Sequence, residues 1–401
     1  MNRVERQRDI LKIIQSLDIS PTMYKNAVEK YTALATYLEE NGFAVSIYPQ
    51  GSFAYGTVVR PIKNGKDAAY DLDFVYQVST PKTDISPEEL RNEVEEILSD
   101  YDENLIVNDR CFTIEYADIE DVGFSIDIVP ATDESESTKK NLKSMSDNPE
   151  LIDSSIAIPE KGSDSYSWIT SNPIGYKQWF TDINQPFSEY SRYEVRKALF
   201  ESNQRLYCSV EEVPAELERS SLQRVIQILK YHRNVYYSHL LNGDELMPIS
   251  AIIVTLVTKI AENQSPSMGV FELLEIVLDQ LVIYSRQLNE NAAVFKNAYP
   301  DMTLFIRDED GWLLQNPANP EDNLTDSWKG NDAIAPTFFK WINIAHESLI
   351  ESLNMTDSSF RVKIEQALGE SVVKKLWGNK YSSSPTTPIA TQTQAKPWRK
   401  Q

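Results

Sequence analysis

Cysteine and histidine are nearly missing from this chain: two cysteines, Cys111 and Cys208, and three histidines, His232, His239 and His346, among 401 residues. The cysteines are far apart with no CxxC spacing and the histidines are scattered, which excludes a zinc site and leaves no disulfide framework. That usage fits a reduced, cytoplasmic compartment. Long apolar runs are missing too. The most apolar stretch, Leu246 to Val257, contains Pro248 and stops before Lys259, well short of the roughly 20 residues a membrane-spanning helix needs. A buried helix is expected there, and no membrane partner. Residues Met1 to Leu17 mix Arg3, Glu5, Arg6, Arg8 and Asp9 with apolar residues at helical spacing, so the apolar block of a secretion signal is absent. Positive charge is in short supply: 39 Lys and Arg stand against 60 Asp and Glu, a net charge of −21. Broad attraction to phosphate polymers is therefore disfavoured. What remains is ordinary for a folded protein, with 41% hydrophobic and 10% aromatic residues, and the length allows two domains.

Along the chain the hydrophobic period changes. Residues 1–42 read as helical, with Ser20 as N-cap, Pro21 in the first position and Gly42 as the stop. Phe43–Tyr48, Leu72–Val78, Cys111–Tyr116 and Gly123–Val129 carry the alternation or the β-branched and aromatic content of four strands. Ser86-Pro87-Glu88-Glu89 is a capping box that opens a helix with Leu90, Val94, Ile97 and Leu98 on its core face. Residues 131–165, dense in Ser, Asp, Glu and Lys, read as a polar excursion. From Ser188 to about Leu376 the pattern is helical, as in Leu222, Val225, Ile226 and Leu229, which share one face. Tyr381–Gln401 has the composition of a flexible tail. The expected class is α+β, divided into a core at 1–185 that includes the N-terminal helices, a helical lobe at 186–378 and a tail at 379–401.

The chemistry gathers at Gly51-Ser52-Phe53-Ala54-Tyr55-Gly56-Thr57, just after the first strand, and at Asp71-Leu72-Asp73, opening the next. Side chains two apart on a strand share a face, so Asp71 and Asp73 converge while Leu72 and Phe74 turn to the core. In Phe124-Ser125-Ile126-Asp127-Ile128 the apolar residues go to one side and Asp127 to the other. An unpaired buried carboxylate is strongly disfavoured, which makes Asp127 the most telling single residue. Taken singly, GSxxxG is an ordinary turn and DxD a solvated strand end; three carboxylates on neighbouring strands are a metal site. Hard divalent cations take oxygen ligands, and phosphoryl transfer commonly uses two of them. Two Mg²⁺ ions are expected, with Mn²⁺ as substitute. Gly51 and Ser52 would cradle the leaving pyrophosphate of a nucleoside triphosphate with backbone N–H and hydroxyl donors. Asp127 would also take the proton from an attacking sugar hydroxyl.

These residues resemble the polymerase-β-like nucleotidyltransferase superfamily with its GS…DxD…D signature. Within it they resemble the bacterial cGAS/DncV-like nucleotidyltransferases (CD-NTases) of CBASS anti-phage defence. Eighteen residues, 53–70, separate Ser52 from Asp71 and contain Gly56-Thr57-Val58-Val59-Arg60-Pro61, similar to the GTxxRP extension of cyclic-oligonucleotide synthases. Leu229-Lys230-Tyr231-His232-Arg233-Asn234 is similar to the helix whose lysine contacts the donor triphosphate, which makes Lys230 that residue. Pro248-Ile249-Ser250 resembles the start of the next helix, where a serine reaches the phosphates. The competing account has Lys230 and Arg233 snorkelling to solvent and Ser250 as an N-cap. Trp168-Ile169-Thr170-Ser171-Asn172-Pro173 resembles the nucleobase-pocket segment, where Asn172 reads a base edge or simply forms an Asn-Pro turn. Asn316-Pro317-Ala318-Asn319-Pro320-Glu321-Asp322-Asn323 is similar to the DPxxPxNN segment of oligoadenylate synthases, with Asn316 replacing the leading Asp, and is read as structural.

The resemblance implies a palm-like mixed sheet packed against a C-terminal helical lobe, with NTPs, ATP first, bound in the cleft. The reaction implied is Mg²⁺-dependent synthesis of a cyclic di- or trinucleotide that activates a downstream effector. Accessory CBASS proteins are expected as partners. A DNA activator is not expected, since no Lys/Arg cluster or zinc ribbon is present. The tail would permit C-terminal conjugation, although Trp398-Arg399-Lys400-Gln401 departs from the small-residue ends such conjugation uses. Two other functions compete: nucleotidyl transfer to a tRNA or protein acceptor, and a catalytically silent binding module.

Overall fold

In the computed structural model, helix ends fall where side chains satisfy the exposed backbone groups of a first turn. Residues 2–42, 44–59, 62–63, 66–67, 70–119, 122–202, 218–309 and 311–382 are described. α1 (Arg3–Gln15) opens on a capping box of Asn2 and Glu5, and α2 (Pro21–Asn41) opens on Ser20 and stops at Gly42. β1 (Ala44–Gln50) runs directly into a single helical turn, α3 (Gly51–Ala54). A two-strand ladder, β2 (Ile62–Lys63) and β3 (Lys66–Asp67), precedes β4 (Tyr70–Val78). α4 (Pro87–Tyr101) opens on the Ser86–Glu89 box as its sequence predicts. β5 (Ile106–Val107), β6 (Phe112–Ile119) and β7 (Val122–Asp133) follow.

The main sheet runs β1-β4-β7-β6-β5, with β4 and β7 parallel and the other neighbours antiparallel. One face is covered by α2 and α4. Leu72, Phe74, Ile126 and Ile128 from the strands meet Leu34, Leu38, Leu90 and Leu98 from the helices, all buried. Each such side chain contributes about 1.5–3 kcal/mol relative to exposure, so the apolar face fixes which way the alternate residues point. The stretch read as a polar excursion is more ordered than that. It holds the end of β7, α5 (Glu136–Met145) and β8 (Ile156–Lys161), and β9 (Tyr166–Ser171) then pairs with β8. The hairpin brings Ile156 and Ile158 against Val75 and Ala131 on the sheet's other face.

The helical half contains α6 (Pro173–Ser202), α7 (Ser221–Ser238), α8 (Gly243–Leu246), α9 (Ser250–Ala261), α10 (Val270–Tyr284) and α11 (Ala292–Ala298). Its helical pattern is then interrupted by two hairpins. These are β10 (Ile306–Asp308) with β11 (Gly311–Leu313), and β12 (Gln315–Asn316) with β13 (Asn319–Asn323). α12 (Ile334–Leu349), α13 (Asp357–Leu368) and α14 (Glu370–Trp377) complete it. α7 lies at the centre and is buried on nearly every side. The apolar run before Lys259 does form a buried helix, but it begins at Ser250, after Pro248.

Two placements differ from the sequence expectation. The division at 185 falls inside α6, and α1 packs with the helical half. Ile10, Ile13, Ile14 and Leu17 enter the core built by α7, α9 and α10. Arg6 donates to the carbonyls of Leu353 and Met355 at 2.9 and 2.7 Å, and Asp9 accepts from Tyr381 at 2.7 Å. Residues 383–401 of the tail lie outside the described residues, as do Arg60 and Pro61 of the GTVVRP stretch. Among the described residues no helix is long and apolar enough to cross a membrane.

Candidate active site

Parallel pairing sets Asp73 of β4 directly beside Asp127 of β7, with Asp71 beside Ser125. Because Leu72, Phe74, Ile126 and Ile128 are held in the core, the three carboxylates must emerge together on the opposite face. One oxygen from each lies within 4.8 Å of the others, a spacing that suits metal ions bridged by carboxylates. Thr113, opposite Asp127 on β6, donates its hydroxyl to Asp127 at 2.5 Å.

The three carboxylates differ in setting. Asp71 is exposed, while Asp73 and Asp127 are half-buried. Burial, then the charges of Asp71 and Asp127, push Asp73 up to about 7, with Lys230 opposing. Burial also raises Asp127, the Thr113 hydrogen bond holding it down and Asp71 adding to the rise. Asp127 is the most telling residue in the sequence, but the larger perturbation falls on Asp73. Gly51 packs on its carboxylate and two other carboxylates press on it, whereas Asp127 is held down by the Thr113 hydroxyl.

Gln50, the last residue of β1, pairs with Asp73, so the chain leaves the sheet beside that carboxylate. Gly51 turns there with φ +64°, and a β-carbon in its place would collide with Asp73 Oδ2. Only glycine meets both demands. The turn closes through Thr57 N donating to Ser52 O at 2.9 Å. Gly51, Ser52, Tyr55 and Asp73 line a cleft of about 710 Å³ together with Lys230 and Ser250. Asn316, Asp322 and Asn323 of the β12–β13 hairpin line its far side.

Lys230 does not snorkel. It is buried, and its Nζ donates to Thr57 O at 3.1 Å. Burial and the nearby Arg233 pull it down to about 8, against the opposing pull of Asp71 and Asp73. Arg233 is also buried, donating to Pro248 O at 2.9 Å and Ser250 Oγ at 3.2 Å. Ser250 is the first residue of α9, with Ile249 as the cap, so the N-cap account of Ser250 fails.

Asn172 is the correction among the predicted site residues. It borders the cleft, but its Nδ2 donates to Leu151 O and Ala318 O at 2.8 and 2.9 Å, and its Oδ1 accepts from Ser154 Oγ and Gly175 N at 2.9 Å. The amide is spent on joining the helical turn Pro149–Ser154, the start of α6 and the β12–β13 turn, which leaves nothing to read a base. The Asn316–Asn323 segment, read as structural in the sequence, makes hydrogen bonds within the protein although it also borders the cleft. Asn316 donates to Asp322 at 2.8 Å and Asn319 to Thr170 O at 3.0 Å. Two cleft residues were passed over in the sequence. Tyr55 packs on Tyr176 at 5.4 Å between ring centres, and its position three residues after Ser52 was the available signal. Arg110, on the turn before β6, faces the cleft and is held by Glu160 at 2.7 Å; nothing in its local sequence marks it.

Residues 5–184 match the family model of the Second Messenger Oligonucleotide or Dinucleotide Synthetase domain. A c-di-GMP synthase of Roseivirga ehrenbergii is 26% identical over 352 residues, 86% of this chain and 78% of that one. The cyclic dinucleotide synthase CdnG of Bradyrhizobium diazoefficiens is 27% identical over 341 residues, 82% of this chain and 71% of that one. Over most of its length the chain is similar to these synthases, which are CD-NTases. The structure of the B. diazoefficiens CD-NTase CdnG in complex with GTP matches it with a TM-score of 0.65 at 19% identity, covering 93% of this chain and 98% of that chain. That likeness establishes the nucleotidyltransferase fold. These likenesses to named synthases make the chain an enzyme, a nucleotidyltransferase, and the three carboxylates of its sheet are a group able to hold metal.

Proposed function

We propose that this chain is a CD-NTase that joins nucleoside triphosphates into a cyclic oligonucleotide in a Mg²⁺-dependent reaction. The observation that carries the reading is the convergence of Asp71, Asp73 and Asp127 on one sheet face, with Asp73 lining a cleft that the buried Lys230 also lines. The two relatives named for c-di-GMP and cyclic dinucleotide synthesis support a dinucleotide product and GTP among the substrates.

Asp71, Asp73 and Asp127 would hold two Mg²⁺ ions. When bound, these ions supply charge neutralisation at the phosphates and acidify the attacking hydroxyl. Gly51 and Ser52 offer close backbone approach and a hydroxyl to the triphosphate, and Lys230 and the start of α9 at Ser250 supply its positive counterpart. Asp127 accepts the proton of the attacking sugar hydroxyl. A bond forms from that oxygen to the α-phosphorus, the bond to the pyrophosphate oxygen breaks, and pyrophosphate departs. A second round on the linear intermediate closes the ring. We read the product as a messenger to an effector in anti-phage defence, with accessory proteins controlling the enzyme, on the strength of the resemblance in the motif residues.

Incubating the protein with each α-³²P-labelled NTP and Mg²⁺ or Mn²⁺, then with phosphatase, tests this directly. The reading expects a phosphatase-resistant small product whose mass identifies the bases. Label appearing only on a tRNA or protein band would overturn it in favour of transfer to a macromolecule.

A further inference from the structure

We infer that Gln223 and Gln227 of α7 are positioning residues that seat the loop carrying Gly51 and Ser52, an inference that rests on the reading of that loop as the nucleotide cradle. Residues 55–59 lie outside helix and strand, yet Thr57 and Val58 are buried. Buried carbonyls need partners, and three of the four residues Tyr55 to Val58 find them on one helix. Gln223 Nε2 donates to Tyr55 O at 2.8 Å, Lys230 Nζ to Thr57 O at 3.1 Å, and Gln227 Nε2 to Val58 O at 2.8 Å. Steps of four and three place these side chains on a single face of α7.

Neither glutamine is free to turn. Gln223 Oε1 accepts from Ser220 N at 2.9 Å as part of the helix cap, which fixes its Nε2 toward the loop. Gln227 Oε1 accepts from Arg224 at 2.9 Å, while its Nε2 also donates to Asp18 at 3.1 Å. The fit is close. Gly56 has φ +65°, and a β-carbon there would come within 2.6 Å of Gln223 Nε2. At its other end the loop leaves β1 beside Asp73. The cradle is thus hung between the carboxylate strand and the helix that also carries Lys230, so one rigid element sets both the height of the loop and the place of the lysine.

A purely structural role would lower thermal stability without a specific effect on nucleotide affinity. Gln223→Glu separates the two, because a carboxylate still accepts from Ser220 N and keeps the cap but can no longer donate to Tyr55 O. In the full-length chain this variant should melt below wild type, because its carboxylate faces Tyr55 O, yet stay folded at the assay temperature, raise KM for the NTP about tenfold, the worth of one buried hydrogen bond, and change kcat far less. The melting shift produced by a nonhydrolysable GTP analogue with Mg²⁺ should shrink in parallel. Gln227→Met, which keeps the volume and loses the donor, should show the same split between KM and kcat. A wild-type KM in both variants, beside an active parent, would overturn the inference. So would a KM rise matched by an equal loss of kcat. A parent chain that neither binds nor converts NTPs would instead overturn the proposed function.

Discussion

On the sheet side of the cleft, negative charges crowd one face of β4 and β7, whereas on the helical side positive charges are buried in α7 against neutral oxygens. Lys230 rests on a carbonyl, and Arg233 on a carbonyl, a hydroxyl and an amide. Burial works on the two walls in opposite directions, pushing Asp73 up to about 7 and Lys230 down to about 8. Each group is moved toward its neutral form because its own wall offers it no strong counter-ion. Folding normally avoids such arrangements. A ligand carrying cations toward the sheet and phosphates toward the helix relieves both at once, and a metal-bound nucleoside triphosphate is that ligand.

The comparison breaks most visibly at the carboxylates. Asp71→Asn with Asp73→Asn should reduce cyclic-product formation by about a thousandfold or more, since transition-state charge loses its metal sites. Without metal the same change should stabilise the chain. The folded-state pKa of Asp73 is raised above its ordinary 3.8, so the stability it contributes is present below about pH 4 and is lost as pH rises through about 7. In EDTA the double variant should melt above wild type at pH 8, with the gap closing toward pH 5. Scanning fluorimetry across that range would detect the crossover, and equal curves at both pH values would refute the account of the sheet wall.

On the other wall, Lys230→Met keeps the buried volume but removes the charge. NTP KM should rise roughly ten- to a hundredfold, the worth of a charge-assisted hydrogen bond, with kcat falling less; steady-state kinetics would read the split. A smaller effect comes from deeper in the helical half. His232 is buried, its Nδ1 accepting from Trp341 at 2.9 Å and its Nε2 lying 3.0 Å from Ser348 Oγ, and burial drives it down to about 3. Its folded pKa is depressed below 6.5, so its stability is present above that pH and is lost as pH falls toward 3. The helical half should therefore weaken on the acid side, where the sheet wall gains. His232→Gln should flatten the acid slope of the melting temperature without altering NTP KM at neutral pH.

The two walls were not equally legible in the sequence. The convergence of Asp71, Asp73 and Asp127 follows from a period of two and from apolar neighbours that need a core, both local facts. Ser20 and Ser86 marked their helices for the same reason, since a cap is a contact within four residues. The helical wall depends on contacts across great sequence distance. A lysine or glutamine on an amphipathic pattern reads as solvent-facing, and only the distant 55–58 loop and Asp18, packed on that face of α7, make Gln227 and Lys230 buried. Asn172 was misread because an Asn-Pro step looks the same whether its amide faces a ligand or, as here, ties three segments together. The β8–β9 hairpin was missed because Ile156-Ala157-Ile158 is a very short apolar run inside a polar stretch. α1 carries a clear apolar stripe, but periodicity does not say which core receives it.

The central claim is that one ligand completes both walls. It is tested by the melting temperature of the wild-type chain at pH 8 with Mg²⁺ alone, a nonhydrolysable GTP analogue alone, and the two together. The account predicts a joint shift well above the sum of the separate ones, and its collapse to the nucleotide-alone value in Asp71→Asn with Asp73→Asn. Additive shifts, or an undiminished joint shift in that variant, would contradict it.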